Sequence, residues 1–122
     1  MTSQPLLELT AGNLRLLLSP SVGGSISGFE AHLDGQQRSL LRLRNSVGEN
    51  VLEAASFPLV PFVNRIRGGR FVCGEREVEL APNMAGDPSP LHGQGWLHPW
   101  SVERCRPSEA MASRRSFGGG PS

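Results

Sequence analysis

FPLVPFVNRIRGGRFVCGEREVELAPNMAGDPSPLHGQGWLHPW, residues 57–100, runs from a proline-punctuated extended segment through a hairpin into a long loop. Pro58 and Pro61 fix φ and remove two backbone donors, so Phe57 to Val63 is extended without being an ordinary central strand. Gly68-Gly69 opens the clearest hairpin, in which Arg70 to Cys73 pairs with Arg76 to Ala81 across a turn at Gly74-Glu75. In its second arm Val78 and Leu80 face one way and Glu77 and Glu79 the other, the period of a half-buried strand. Pro82 to Pro90 reads as a loop, and Trp100 to Arg104 resumes extended character. Two polar turns flank this hairpin: Asn64-Arg65 before it and Leu91-His92-Gly93 after it, with His92 27 residues beyond Arg65.

Upstream, Leu6 to Thr10 and Asn13 to Ser19 read as strands joined at Ala11-Gly12. Ser25 to Leu33 is a third, stopped by the turn dipeptide Asp34-Gly35. Gln37 to Arg44 carries a fourth, since Leu41 and Leu43 alternate with Arg42 and Arg44. Asn45 to Ser56 is irregular and polar. From Arg106 the composition changes: RPSEAMASRRSFGGGPS has almost no apolar periodicity and cannot offset its ordering entropy by burial. The expected organisation is therefore one β domain over residues 1–105 and a disordered tail over residues 106–122.

Gly and Pro make up 25 of the 122 residues, well above the roughly 12% usual for globular chains. With so many turns and no window of helical apolar spacing, the expected class is all-β. A net charge of +1 provides no global field toward nucleic acid or membrane. The twelve basic residues are all Arg, for which we have no physical account. The N-terminus lacks a basic n-region, and the longest Leu run is Leu16-Leu17-Leu18, so neither a signal peptide nor a membrane span is expected. A cytoplasmic address follows as the default. Cys73 and Cys105 are then expected as free thiols.

Residues 57–100 closely resemble the aldose 1-epimerase (galactose mutarotase) family, in which an Asn-Arg dipeptide, a Gly-Arg-Phe strand start and a Leu-His-Gly turn recur in this order. The resemblance implies the N-terminal part of a large antiparallel β-sandwich, the galactose mutarotase-like supersandwich. It also implies a chain more than twice as long, so this one is expected to be truncated. The implied activity is interconversion of the α and β anomers of free aldoses without metal or organic cofactor. A base takes the anomeric hydroxyl proton while an acid protonates the ring oxygen. In the family the base is a Glu near the C-terminus and the acid is a His from the middle of the enzyme, and neither has a counterpart here. The resemblance assigns Arg65 and His92 to sugar binding and to polarising sugar oxygens. His92 is the one catalytic candidate in this chain.

Arg65 suits that assignment because a guanidinium offers a planar fork of donors and stays charged. The competing reading is a surface Arg paired with Glu77 or Glu79. Asn64 either holds its loop or donates to a hydroxyl. Trp96, close to His92, could line the cleft with an aromatic face, while burial between sheets is the expectation for Trp100. His32 and His98 read as solvated, with His98 a candidate for the rim. Phe57, Val60, Phe62, Phe71, Val72, Val78 and Leu80 are the core candidates. Cys73, His92, His98 and Cys105 lack zinc-pair spacing, so no metal is expected. A Gly-x-Ser-x-Gly elbow is absent, and Arg114-Arg115 is too short for a nucleic-acid site. The expected partner is a monosaccharide, with a non-catalytic sugar-binding module or inactive remnant as the alternative. The open edges of a cut sandwich predict poor solubility or partial order.

Overall fold

The computed structural model describes residues 6–43 and 50–114. Every strand pairing among them is antiparallel, and these described residues are all-β apart from three short 3-10 turns. Strands β1 (Leu7–Ala11), β2 (Leu14–Ser19), β3 (Ser25–Leu33) and β4 (Gln36–Leu41) form a four-stranded sheet in sequential order. Such a meander is what short hairpin turns dictate. The chain reverses at Gly12 and at Asp34-Gly35, where Gly12 and both turn residues carry positive φ. Two register shifts, at Leu17/Leu18 and beside Phe29, break the simple alternation. The expected strand from Gln37 to Arg44 ends at Leu41, and Arg44 lies outside the described residues.

Strands β5 (Arg70–Cys73) and β6 (Arg76–Glu79) pair as the expected hairpin, and β7 (Ser101–Arg106) pairs with β8 (Glu109–Ser113). The last hairpin corrects the expected boundary at residue 105 and the disordered tail over residues 106–113. Residues 115–122 lie outside the described residues. Strand β8 reads EAMAS, in which Ala110 and Ala112 are half-buried and the other three are exposed. Its alternation is real but written in alanine, which carries little strand signal. Thr10 of β1 donates its N–H to the Pro107 carbonyl at 2.7 Å, tying the first sheet to the β7–β8 turn.

The core is compact and lies among the loops. Val22, Val51 and Trp96 are buried together, with Phe57, Met84 and Leu91 packed against them. Of the expected core residues Phe57 takes part, whereas Val60, Phe71 and Val72 are exposed. For Phe71 and Val72 the reason is topological: β5 and β6 pair only with each other, so one hairpin cannot cover its own apolar face. Trp96, at 2% exposure, is the anchor. A tryptophan of this kind removes about 150–250 Å² from water, worth on the order of 4–6 kcal/mol before entropy is charged. Trp100 is only half-buried, so the expected ranking of the two tryptophans is reversed. Its indole N–H donates to the Gly95 carbonyl at 2.8 Å, and its ring comes within 3.1 Å of where a Cβ on Gly24 would be.

Candidate functional site

The two polar turns singled out in the sequence meet. Arg65 and Leu91 form an isolated antiparallel bridge, and the Ile66 N–H donates to the Pro90 carbonyl at 3.3 Å. One residue further out, the His92 N–H donates to the Asn64 carbonyl at 2.9 Å. The Asn64 N–H in turn donates to Nδ1 of the His92 ring at 2.8 Å. Asn64 and His92 both hold left-handed backbone, with φ of 72° and 57°. Asn and His are among the non-glycine residues that tolerate this region best.

The second bond fixes the imidazole chemistry. A ring nitrogen that accepts carries no proton, so the neutral His92 ring bears its hydrogen on Nε2. The ring also meets Trp96 edge-on, with centroids 6.0 Å apart and planes at 75°. Trp96 stacks on Phe57 at 5.9 Å. With so little exposure Trp96 has no open face for a sugar, which corrects the cleft-lining expectation: it supports the histidine from beneath. Its indole N–H is shared between the Leu91 and Gly93 carbonyls at 3.0 and 3.1 Å. Gly93 has to be glycine, because a Cβ there would lie 2.2 Å from Cδ of Pro61 and 2.5 Å from the Val60 carbonyl oxygen.

Arg65 is 54% exposed and donates through Nε to Oδ2 of Asp87 at 2.5 Å. The carboxylate partner is therefore Asp87, while Glu79 pairs with Arg70 instead. Asp87 also accepts the Ser89 N–H on Oδ1 at 2.9 Å. The Arg65 hydrogen bond first, and the Ser89 amide second, hold its carboxyl below the usual aspartate range. Because Nε is the atom engaged, the Nη groups of Arg65 remain as donors among the described residues. The guanidinium and the imidazole belong to adjoining segments.

Sequence reading missed two contributors, both in the loop after β6. One is Asp87; the other is Asn83, whose amide bonds to the backbone on either side of His92. Asp87-Pro88-Ser89 has the form of an Asx turn, so a local role for the aspartate was legible but its partner was not. Asn83 left no usable signal. His98 is partly buried, and desolvation first, then the positive charge of Arg114, lower its pKa. His32 is exposed. Cys73 and Cys105 are exposed free thiols. Among the described residues no group of three or more His, Cys, Asp or Glu converges as a metal site, and no helix is long and apolar enough to cross a membrane.

Comparison with known proteins gives this geometry a context. The sequence pattern described as aldose 1-epimerase matches residues 5–118. The uncharacterised Escherichia coli (strain K12) protein YphB is 44% identical over 92 residues, which cover 75% of this chain and 30% of YphB. A crystal structure from Escherichia coli K12, named as a candidate aldose 1-epimerase, superposes with a TM-score of 0.77 at 34% identity. It covers 93% of this chain and 38% of its own. A GalM/aldose epimerase homologue from C. elegans shares the fold at a TM-score of 0.66 and 22% identity, over 84% of this chain and 33% of that one. The chain thus spans about a third of the length of the relatives it matches. With the family pattern running across nearly all of its residues and the same fold in these structures, the chain belongs to the aldose 1-epimerase family.

Proposed function

We propose that this chain supplies one wall of a sugar site of the aldose 1-epimerase type, in which Arg65 and His92 contact oxygens of a free aldose. The reciprocal bonding of Asn64 and His92 carries the reading, because it leaves Nε2–H as the ring's remaining donor. A neutral imidazole donor near a sugar oxygen withdraws electron density from it without adding a full charge. The Nη groups of Arg65 supply a permanent charge for a second oxygen, and Asp87 limits the rotation of the guanidinium. Both effects favour the oxygen charge that develops as the hemiacetal opens.

Ring opening also needs a base at the anomeric hydroxyl and an acid at the ring oxygen. The chain spans about a third of the relatives' length, and in this reading the family's Glu and second His belong to the remainder. As a stand-alone polypeptide the chain is therefore expected to bind without turnover. Titrating the 122-residue chain with galactose and glucose, followed by NMR, tests the binding. Shifts centred on Asn64, Arg65 and His92 are expected, and their absence up to molar sugar would overturn the proposal. Polarimetry tests the second part: enzyme-like mutarotation by this polypeptide would show that its own residues complete the proton-transfer pair.

A further inference from the structure

The geometry points to Asn83 as the positioning residue that sets the orientation and tautomer of His92. Its Nδ2 donates to the Leu91 carbonyl at 2.8 Å and to the Gly93 carbonyl at 2.7 Å, and its Oδ1 accepts the Leu91 N–H at 2.7 Å. The three bonds engage the backbone immediately before and immediately after His92. They use both amide hydrogens and the carbonyl of one side chain, a combination that Asp, Ser and Thr cannot offer.

The clamp has a clear job. His92 sits at φ 57°, a conformation that costs a residue with a Cβ about 1–2 kcal/mol. Holding Leu91 and Gly93 fixes the peptide planes on both sides, so the His92 N–H meets the Asn64 carbonyl and Nδ1 meets the Asn64 N–H. Nδ1 can accept only while that plane is held, and only then is the proton confined to Nε2. If the clamp is released the ring can exchange tautomers, and Nε2 becomes an acceptor for part of the time. Trp96 reaches the same two carbonyl oxygens, but it donates a single hydrogen and does not engage the Leu91 N–H. Asn83 is thus the side chain that restrains the turn in both donor and acceptor senses.

The inference rests on reading His92 as a sugar contact, but its primary readout needs no sugar. Asn83→Asp keeps the shape and the acceptor for the Leu91 N–H while losing both donations. In the unmodified chain, nitrogen-15 spectra of the His92 ring should show a pyridine-type Nδ1 and a pyrrole-type Nε2, well separated. In N83D, with the amide spectrum of β1–β4 unchanged, the two resonances should move toward each other, and galactose-induced shifts at His92 should need roughly tenfold more sugar. Unaltered ring resonances in a folded N83D would overturn the inference, even if sugar still perturbs His92. Conversely, the expected tautomer change without any sugar response would leave the clamp standing and sink the sugar site. Should N83D fail to fold, the unmodified chain decides. Slow exchange of the Asn83 amide hydrogens, with couplings across the hydrogen bonds to the Leu91 and Gly93 carbonyls, supports the clamp. Fast exchange without those couplings rejects it.

Discussion

Asn64 and His92 exchange two hydrogen bonds, one between backbones and one from the Asn64 N–H to the imidazole, while both hold left-handed backbone. The Asn64 atoms in these bonds belong to its backbone, so the bonds require its left-handed conformation and not its amide. Asn64→Gly should therefore leave unfolding free energy within about 0.5 kcal/mol, whereas Asn64→Ala should lower it by about 1 kcal/mol. Chemical denaturation of the two variants checks this. Equal losses in both would mean that the amide itself is engaged.

Replacing His92 by Ala removes the ring acceptor. The Asn64 N–H is near solvent, so the stability cost should be modest, about 0.5–1.5 kcal/mol. Sugar-induced shifts at Arg65 should weaken far more than stability does. Retention of those shifts in H92A would show that the imidazole does not touch the sugar.

The Arg65–Asp87 pair makes the site sensitive to acid. Asp87 has a lowered pKa in the folded chain, from the Arg65 bond first and the Ser89 amide second. Its contribution is therefore fully present above the ordinary aspartate range and is lost as pH falls through the lower folded value. An acid titration following the Arg65 Nε–H resonance should show it moving upfield, toward the position of an unpaired guanidinium, in this window. Asp87→Asn should abolish the step. A titration curve of the same shape in D87N would assign the event to another carboxylate.

Much of the frame was legible because it is written in short-range signals. The turns at Gly12, Asp34-Gly35 and Gly74 fall where turn dipeptides stand, and β3 and β5 have the expected limits. Asn64-Arg65 and Leu91-His92-Gly93 were found as a pattern, and the bridge between Arg65 and Leu91 joins them in space. The supports of the site were not legible. Asn83 acts across eight to ten positions on backbone atoms, which leave no residue-type signature. Arg65 had several carboxylates within reach, and periodicity cannot distinguish a strand glutamate from a loop aspartate. Strand β8 was hidden by alanines, and the depth of Trp96 depended on Val22 and Val51 arriving from distant segments.

Two glycines with nearly the same backbone separate strain from steric conflict. Gly74 and Gly93 have φ of 65° and 69°, but a Cβ at Gly74 meets nothing within 4 Å and one at Gly93 meets Pro61 and Val60. Gly74→Ala should cost about 1–2 kcal/mol, the left-handed penalty alone. Gly93→Ala should add about 1–3 kcal/mol for overpacking, and should also displace the His92 resonances. Similar melting temperatures for the two variants would mean that the Gly93 contact is easily relieved.

Trp96 separates a buried support from a sugar-stacking surface. Trp96→Phe keeps an aromatic ring against Phe57 and His92 but removes the indole N–H from the Leu91 and Gly93 carbonyls. Asn83 still donates to both oxygens, so neither is orphaned, and the cost should stay below the roughly 3–5 kcal/mol of truncation to Ala. If the ring is a support, W96F lowers the denaturation midpoint while galactose affinity changes by less than about threefold, because the clamp around His92 persists. If the ring instead stacks on sugar, the midpoint holds and affinity falls. The 2% exposure of Trp96 favours the first outcome, since a ring without an open face can act on a ligand only through the histidine above it.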